Sequence, residues 1–301
     1  MEEVNYKQKM KNCMFLILVA LIVSCSNHQL TESVCEVMSE TVVDEKAKAN
    51  AEFNALMDKA RWGDGQAFLK LADCYRDGIG VKPDFLGMMC MAMQAHDFGV
   101  LPNVDDYLFN FSEKSDMKTI VDYMSKMNGD IRESRDSILT ILNEMDNPDA
   151  LALYAYGCIL SGDSIEGNAM IRQAAEKGSN FAIVMDVAPF WQDDVMPNID
   201  KLIQIADRIP MIYEYLGKLY SKPDKNGYVD CKQAAYYYKK ADEYALLSRG
   251  DARWLLDFYK DNGDVKLSDD DVKRLEILAR PLFEDEAFEV DSLSVDSVVV
   301  E

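Results

Sequence analysis

Apolar residues along this chain recur with the period of a helix. Phe68, Leu71, Ala72 and Tyr75 fall at i, i+3, i+4 and i+7, which places them on one helical face. Asp77-Gly78-Ile79-Gly80-Val81 breaks that period with two glycines, and Phe85, Met88, Met89 and Ala92 resume it. The segment predicts two short amphipathic helices around a tight turn. Such a hairpin cannot bury both of its faces alone, so it needs neighbours.

The neighbours emerge when a frame is fixed on the second helix. Asp84 opens it, with Met88, Met91, Ala92, Ala95, His96 and Gly99 at +4, +7, +8, +11, +12 and +15. Read from Asp163, the same frame gives Gly167, Met170, Ile171, Ala174, Ala175 and Gly178. From Asp230 it gives Ala234, Tyr237, Tyr238, Ala241, Asp242 and Ala245. Asp163 with Glu166, and Asp230 with Gln233, also have the capping-box separation. The first helices agree, since a small residue follows a packing residue at Leu71-Ala72, Tyr156-Gly157 and Leu216-Gly217. Val187 stands 30 residues from both Gly157 and Gly217, and Asn198, Leu202, Ile205, Ala206 and Ile209 supply a degenerate second helix. Residues 180–209 therefore read as a worn repeat. Arg253 to Tyr259, with a second helix from Ser268 to Arg280, reads as a final one. Residues 101–147 are helical by pattern but fit the frame badly, as one or two divergent units or as an insertion.

Gly65 to Asp84, running on to Gly99, resembles the Sel-one-like repeat, a relative of the tetratricopeptide repeat. The Gly78-Ile79-Gly80-Val81 turn and the downstream Asp84 both fall in place. Ala152 to Gly178 and Ile212 to Ala245 look like further copies that have lost the glycine turn. The resemblance implies an all-α fold, a right-handed α-solenoid of stacked helical hairpins over residues 46–281. It also implies an adaptor or scaffold that recruits a protein or peptide partner on its concave face and needs no cofactor. Lys70, Asp73, Tyr154, Tyr213 and Lys218 lie on first helices off the packed stripe and are the candidates for that face.

The ends of the chain add a location. Lys7, Lys9 and Lys11 precede the apolar run Met14 to Val23, which is shorter than the roughly 20 residues that span a bilayer. Residues 1–24 thus read as a cleaved signal peptide. Ile22-Val23-Ser24-Cys25 resembles a bacterial lipobox, which implies acyl chains on Cys25, the proposed lipid attachment site, and a membrane held through that anchor. Residues 25–45 suit a flexible tether, and residues 282–301 an acidic tail that frays. Ser26-Asn27 lacks the aspartate that often retains lipoproteins at an inner membrane. The expected location is the cell envelope, at the outer membrane or its periplasmic face if the cell is Gram-negative.

Charge and inventory narrow the chemistry. The net charge is -21, and removing residues 1–24 (three Lys against two Glu) makes it -22, which disfavours nucleic acid as a partner. Of seven cysteines, Cys35, Cys74, Cys90, Cys158 and Cys231 remain beyond Cys25, without the paired spacing of a zinc site. Only His28 and His96 could serve as imidazole bases, and His28 lies in the tether, so a Ser-His-Asp or Cys-His site is not expected. Carboxylates are abundant, yet no pair stands out as a glycosidase pair. The reading is a binding module with no metal site and no catalysis of its own. Its alternative is an envelope protein that binds or hydrolyses glycan or peptidoglycan. The tyrosines between Tyr213 and Tyr238 are the other suggestive feature: Tyr237 and Tyr238 sit at packed frame positions, whereas Tyr213 and Tyr236 fall off the stripe.

Overall fold

A computed structural model describes residues 46–108, 111, 115–126, 135–188, 197–223, 227–261 and 267–280. The chain divides into two compact units, residues 1–52 and 53–301. The described part of the first is helical, and everything below concerns the second. Cys25, Cys35, Trp191, the signal segment and the tail lie outside the described residues.

Among the described residues the fold is all-α. After a helix that ends at residue 61, the first hairpin comprises α1 (Gly65–Asp77) and α2 (Phe85–Asp97). The poorly fitting section holds α3 (Val104–Leu108), α4 (Asp116–Lys126) and α5 (Arg135–Met145). Four more hairpins follow: α6 (Pro148–Leu160) with α7 (Ser164–Glu176), α8 (Asn180–Val187) with α9 (Ile199–Ala206), α10 (Ile212–Tyr220) with α11 (Cys231–Glu243), and α12 (Arg249–Asp261) with α13 (Asp269–Leu278). Successive hairpins stack through α7 on α8, α9 on α10 and α11 on α12.

The first hairpin shows how local sequence sets the geometry. Asp64 accepts hydrogen bonds from the amides of Gln66 (3.0 Å) and Ala67 (3.2 Å), which starts α1. Gly78 ends it in the left-handed region at φ 71°, its amide bonded to Cys74 O at 2.9 Å. Asp84 then caps α2 through the amide of Leu86 (3.1 Å). Phe68, Leu71 and Ala72 are buried, as the stripe predicts. Tyr75 lies flat against Gly87, where an added Cβ would come within 2.6 Å of its ring. The fourth hairpin repeats this close approach, because a Cβ on Gly217 would lie 2.5 Å from the ring of Tyr238. Asp230 caps α11 as expected, through the amide of Gln233 at 3.0 Å. At α7, Asp163 makes no side-chain cap bond, so the expected capping box is not formed there.

Helix α2 departs from simple nearest-neighbour stacking. Besides α1, it meets the later hairpins in order along its length. At its start the Phe85 amide donates to Asp149 of α6 (3.1 Å), and the Phe85 ring packs edge-on against Phe181 of α8 (5.2 Å). In its middle Cys90 faces Glu214 and Lys218 of α10. Near its end the Gln94 amide donates to Leu246 O (3.1 Å), and Asp97 accepts from the amide of Arg249 in α12 (3.1 Å). The cause is compositional: no Asp, Glu, Lys or Arg occurs between Asp84 and Asp97, and a helix without a charged face is covered on several sides. A second tie closes the same junction. Arg61, ahead of α1, donates to Asp242 O (3.1 Å), while the buried Asp242 carboxylate pairs with the buried guanidinium of Arg274 in α13.

Candidate functional site

The ends of four helices converge on one side of α2. Their caps are Asp84 for α2, Ser115 for α4, Asn147 for α6 and Ser179 for α8. Each holds a first-turn amide of its own helix, at 3.1, 3.2, 3.1 and 3.1 Å respectively. The same residues are also bonded across helices. Asp149 accepts from the Phe85 amide (3.1 Å) and from the Ser179 hydroxyl (2.6 Å). Asp84 accepts from Asn180 Nδ2 (2.9 Å), and Asp116 from Asn147 Nδ2 (3.2 Å). Burial pushes the Asp149 carboxyl above its usual range. The bonds from Ser179 and Phe85 oppose that shift, Asp84 adds to it, and Lys82 opposes it.

This frame bounds a cleft. One cavity of about 830 Å³ is lined by Tyr75, Pro83, Phe85, Met88, Phe111, Met117 and three of the caps, Asp84, Ser115 and Asn147, with Arg76, Lys82 and Arg208 on its wall. A second, of about 400 Å³, is lined by Phe53, Met57, Ile209, Pro210, Met211 and Tyr244. The two share Tyr75, Asp84, Asn180 and Arg208 and so adjoin along these residues, between the first hairpin and the later ones. The cleft's size and its mixture of aromatic walls with a few polar groups suit a ligand-binding site.

The five first-helix candidates do not gather here, nor on any single face. Lys70 is exposed on α1. Asp73 is engaged by the Tyr107 hydroxyl (2.8 Å) and by Arg76 (2.8 Å). Tyr154 and Tyr213 are buried, against the expectation that they stand off the packed stripe, because both faces of their helices are covered within the stack. Tyr213 donates to Asp207 and belongs to a tyrosine ladder, Tyr220–Tyr237–Tyr213–Tyr244, with ring centroids 5.5, 6.4 and 6.0 Å apart. Tyr236 is exposed and meets Tyr237 edge-on, while Tyr237 and Tyr238 are core, as the frame implies. Lys218 sits between two carboxylates, 2.8 Å from Glu214 and 3.5 Å from Asp251. Burial pushes the Glu214 carboxyl up to about 7, with Asp251 adding to the shift and Lys218 opposing it.

His96 caps a local turn, with Nδ1 2.7 Å from Leu101 O. Cys74, Cys90, Cys158 and Cys231 are not joined in disulfides. No family model matches the chain, and no curated protein matches it. Among solved structures it is similar to a Sel1 repeat protein from Oxalobacter formigenes. The identity is 20% and the TM-score 0.38, over 77% of this chain and 98% of that one. That protein's name carries the repeat type that residues 65–99 resemble.

Sequence reasoning missed the cleft although part of its signal was present. Asp84 is found as a cap, but Asp149 and Asn180 each stand just after a cap, and nothing in the spacing says that both reach back to α2. Arg208 falls in a loop outside every helical stripe.

Proposed function

We propose that this chain is a binding scaffold of the cell envelope, held to its membrane by acyl chains on Cys25, that receives a segment of a partner protein in the cleft beside α2. The observation that supports it is the construction of the cleft. Caps from four helices lock one another through Asp149, Asp84 and Asp116, so its walls are fixed before any partner arrives. Preorganised walls reduce the ordering cost of binding. The signal-like run, the lipobox and the absence of a retaining aspartate at Ser26-Asn27 support an outer-membrane anchor. Lys70 remains available for outer contacts.

Two variants test this. Cys25→Ala should leave the protein uncleaved or soluble, and detergent partitioning after correct cleavage would count against the anchor. Val81→Trp, at a half-buried turn position on the cavity wall, should abolish affinity capture of partners from native envelopes while helical content and melting stay unchanged. Undiminished capture by Val81→Trp would remove the cleft from the account.

A further inference from the structure

We infer that the segment taken by the cleft is acidic and apolar, with a carboxylate seated against Arg208 and Lys82; this rests on the scaffold reading above. The inference comes from which polar groups are already in use. Both oxygens of Asp84 and both of Asp149 accept hydrogen bonds from the protein itself. Asp116 holds Asn147, Asp146 lies 3.5 Å from Lys177, and Glu243 pairs with Lys240 at 3.0 Å. Asp84 and Asp149 are thus committed within the fold on both oxygens and Asp116 on one, while the exposed Asp146 and Glu243 lie in surface ion pairs.

Two cations of the cleft are not so committed. Arg76 is taken by Asp73 and Asp77, but neither Arg208 nor Lys82 makes an ion pair among the described residues, although both are exposed on the cavity wall. Lys82 is near enough to Asp149 to counter its upward shift without pairing with it. Arg208 lies where the two cavities join, so a carboxylate bound there would have apolar wall on both sides. A guanidinium presents paired donors that match a carboxylate. The amino ends of α2, α4, α6 and α8, which converge here, add partial positive charge of the same sense. The net charge of -21 repels anions at long range, but that field is screened beyond about 8 Å at physiological salt.

The test uses the mature chain and three labelled decapeptides followed by fluorescence anisotropy: Leu-Phe-Glu-Asp repeats, the same repeats with Gln and Asn, and the same with Lys. The acidic peptide should bind saturably, and at least tenfold more tightly than either of the others. Arg208→Gln should weaken it tenfold or more, Lys82→Gln with Arg208→Gln should abolish it, and Lys232→Gln, on exposed surface away from the cleft, should leave it unchanged. Because neither Arg208 nor Lys82 makes an ion pair among the described residues, melting should move little. Failure of the acidic peptide to bind, preference for the neutral or basic peptide, or indifference to Arg208→Gln would each overturn the inference. If Val81→Trp still abolishes native capture in that event, the ligand class is wrong and the scaffold stands. If native capture survives Val81→Trp, both fail.

Discussion

Helices α2 and α11 occupy the same place in their hairpins, yet they live in different surroundings. Each packs its frame residues on a first helix: Met88, Met91, Ala92 and Ala95 in one, Ala234, Tyr237, Tyr238 and Ala241 in the other, all buried. Beyond that stripe they diverge. The outer face of α11 carries Lys232, Lys239, Lys240 and Glu243, and its Tyr236 is 54% exposed. Between Phe85 and His96 helix α2 carries no Asp, Glu, Lys or Arg; it also buries Phe85, Leu86 and Gln94, and Met93 is its exposed large apolar residue. A shared frame therefore fixes how a hairpin closes on itself. The residues off the frame decide whether the hairpin ends at solvent or becomes the surface on which others are assembled.

The largest test of that contrast is a charge placed on each helix. Leu86→Lys puts an ammonium at a buried position off the frame and should cost on the order of 4 kcal/mol or more, or prevent folding. Tyr236→Lys on α11 should cost less than about 0.5 kcal/mol. Urea unfolding of both variants decides it, and equal costs would mean that α2 is no more enclosed than α11.

A smaller effect separates the close approaches. In Gly217→Ala the new methyl meets the rigid Tyr238 ring, so roughly 1–3 kcal/mol should be lost to overpacking. In Gly157→Ala it meets the terminal methyl of Met124, a side chain that can turn aside, and the loss should be well under that. Thermal melts of the two, side by side, give the order. The reverse order would mean that α4 is held more rigidly against α6 than α11 is against α10.

A further effect is in pH and comes from the carboxylates around Lys218. Glu214 titrates near 7 in the fold against an ordinary value of 4.5, so between these the folded state binds more protons than the unfolded one. This group's contribution to stability therefore falls as pH rises from about 4.5 to about 7, and is level above that. Glu214→Gln should flatten that part of the stability profile. An unchanged slope would assign it to other groups.

Much of the fold was legible in the sequence. The stripe Phe68, Leu71 and Ala72, the turn at Gly78, and the caps Asp84 and Asp230 depend on neighbours within a few residues, which periodicity reports directly. The worn repeat at 180–209 was legible for the same reason, since Leu202, Ala206 and Ile209 are buried as the frame requires. The site was not. Tyr154 and Tyr213 look free when one helix is considered alone, but both are buried in the stack, Tyr213 against Tyr237 of the following helix and Tyr244 at its C-cap. The cleft depends on contacts such as Asp84 with Asn180, which periodicity does not report. One signal could have been used: the uncharged run from Phe85 to Ala95 has too much apolar surface for a helix with one covered face.

The enclosure of α2 also has a consequence in time. Gln94 and Asp97 lie 152 residues before the groups they meet, Leu246 and Arg249. At about 5–20 residues per second, synthesis leaves α2 waiting roughly 8–30 s for the chain that covers it. Ordinary repeat arrays can lose or gain an end unit nearly independently, because each unit leans only on the next. Here the earliest-made hairpin is among the last to be completed, so removing either end should unsettle the other. A chain that cannot finish folding until nearly all of it exists is also one that stays threadable, which suits the export proposed for it.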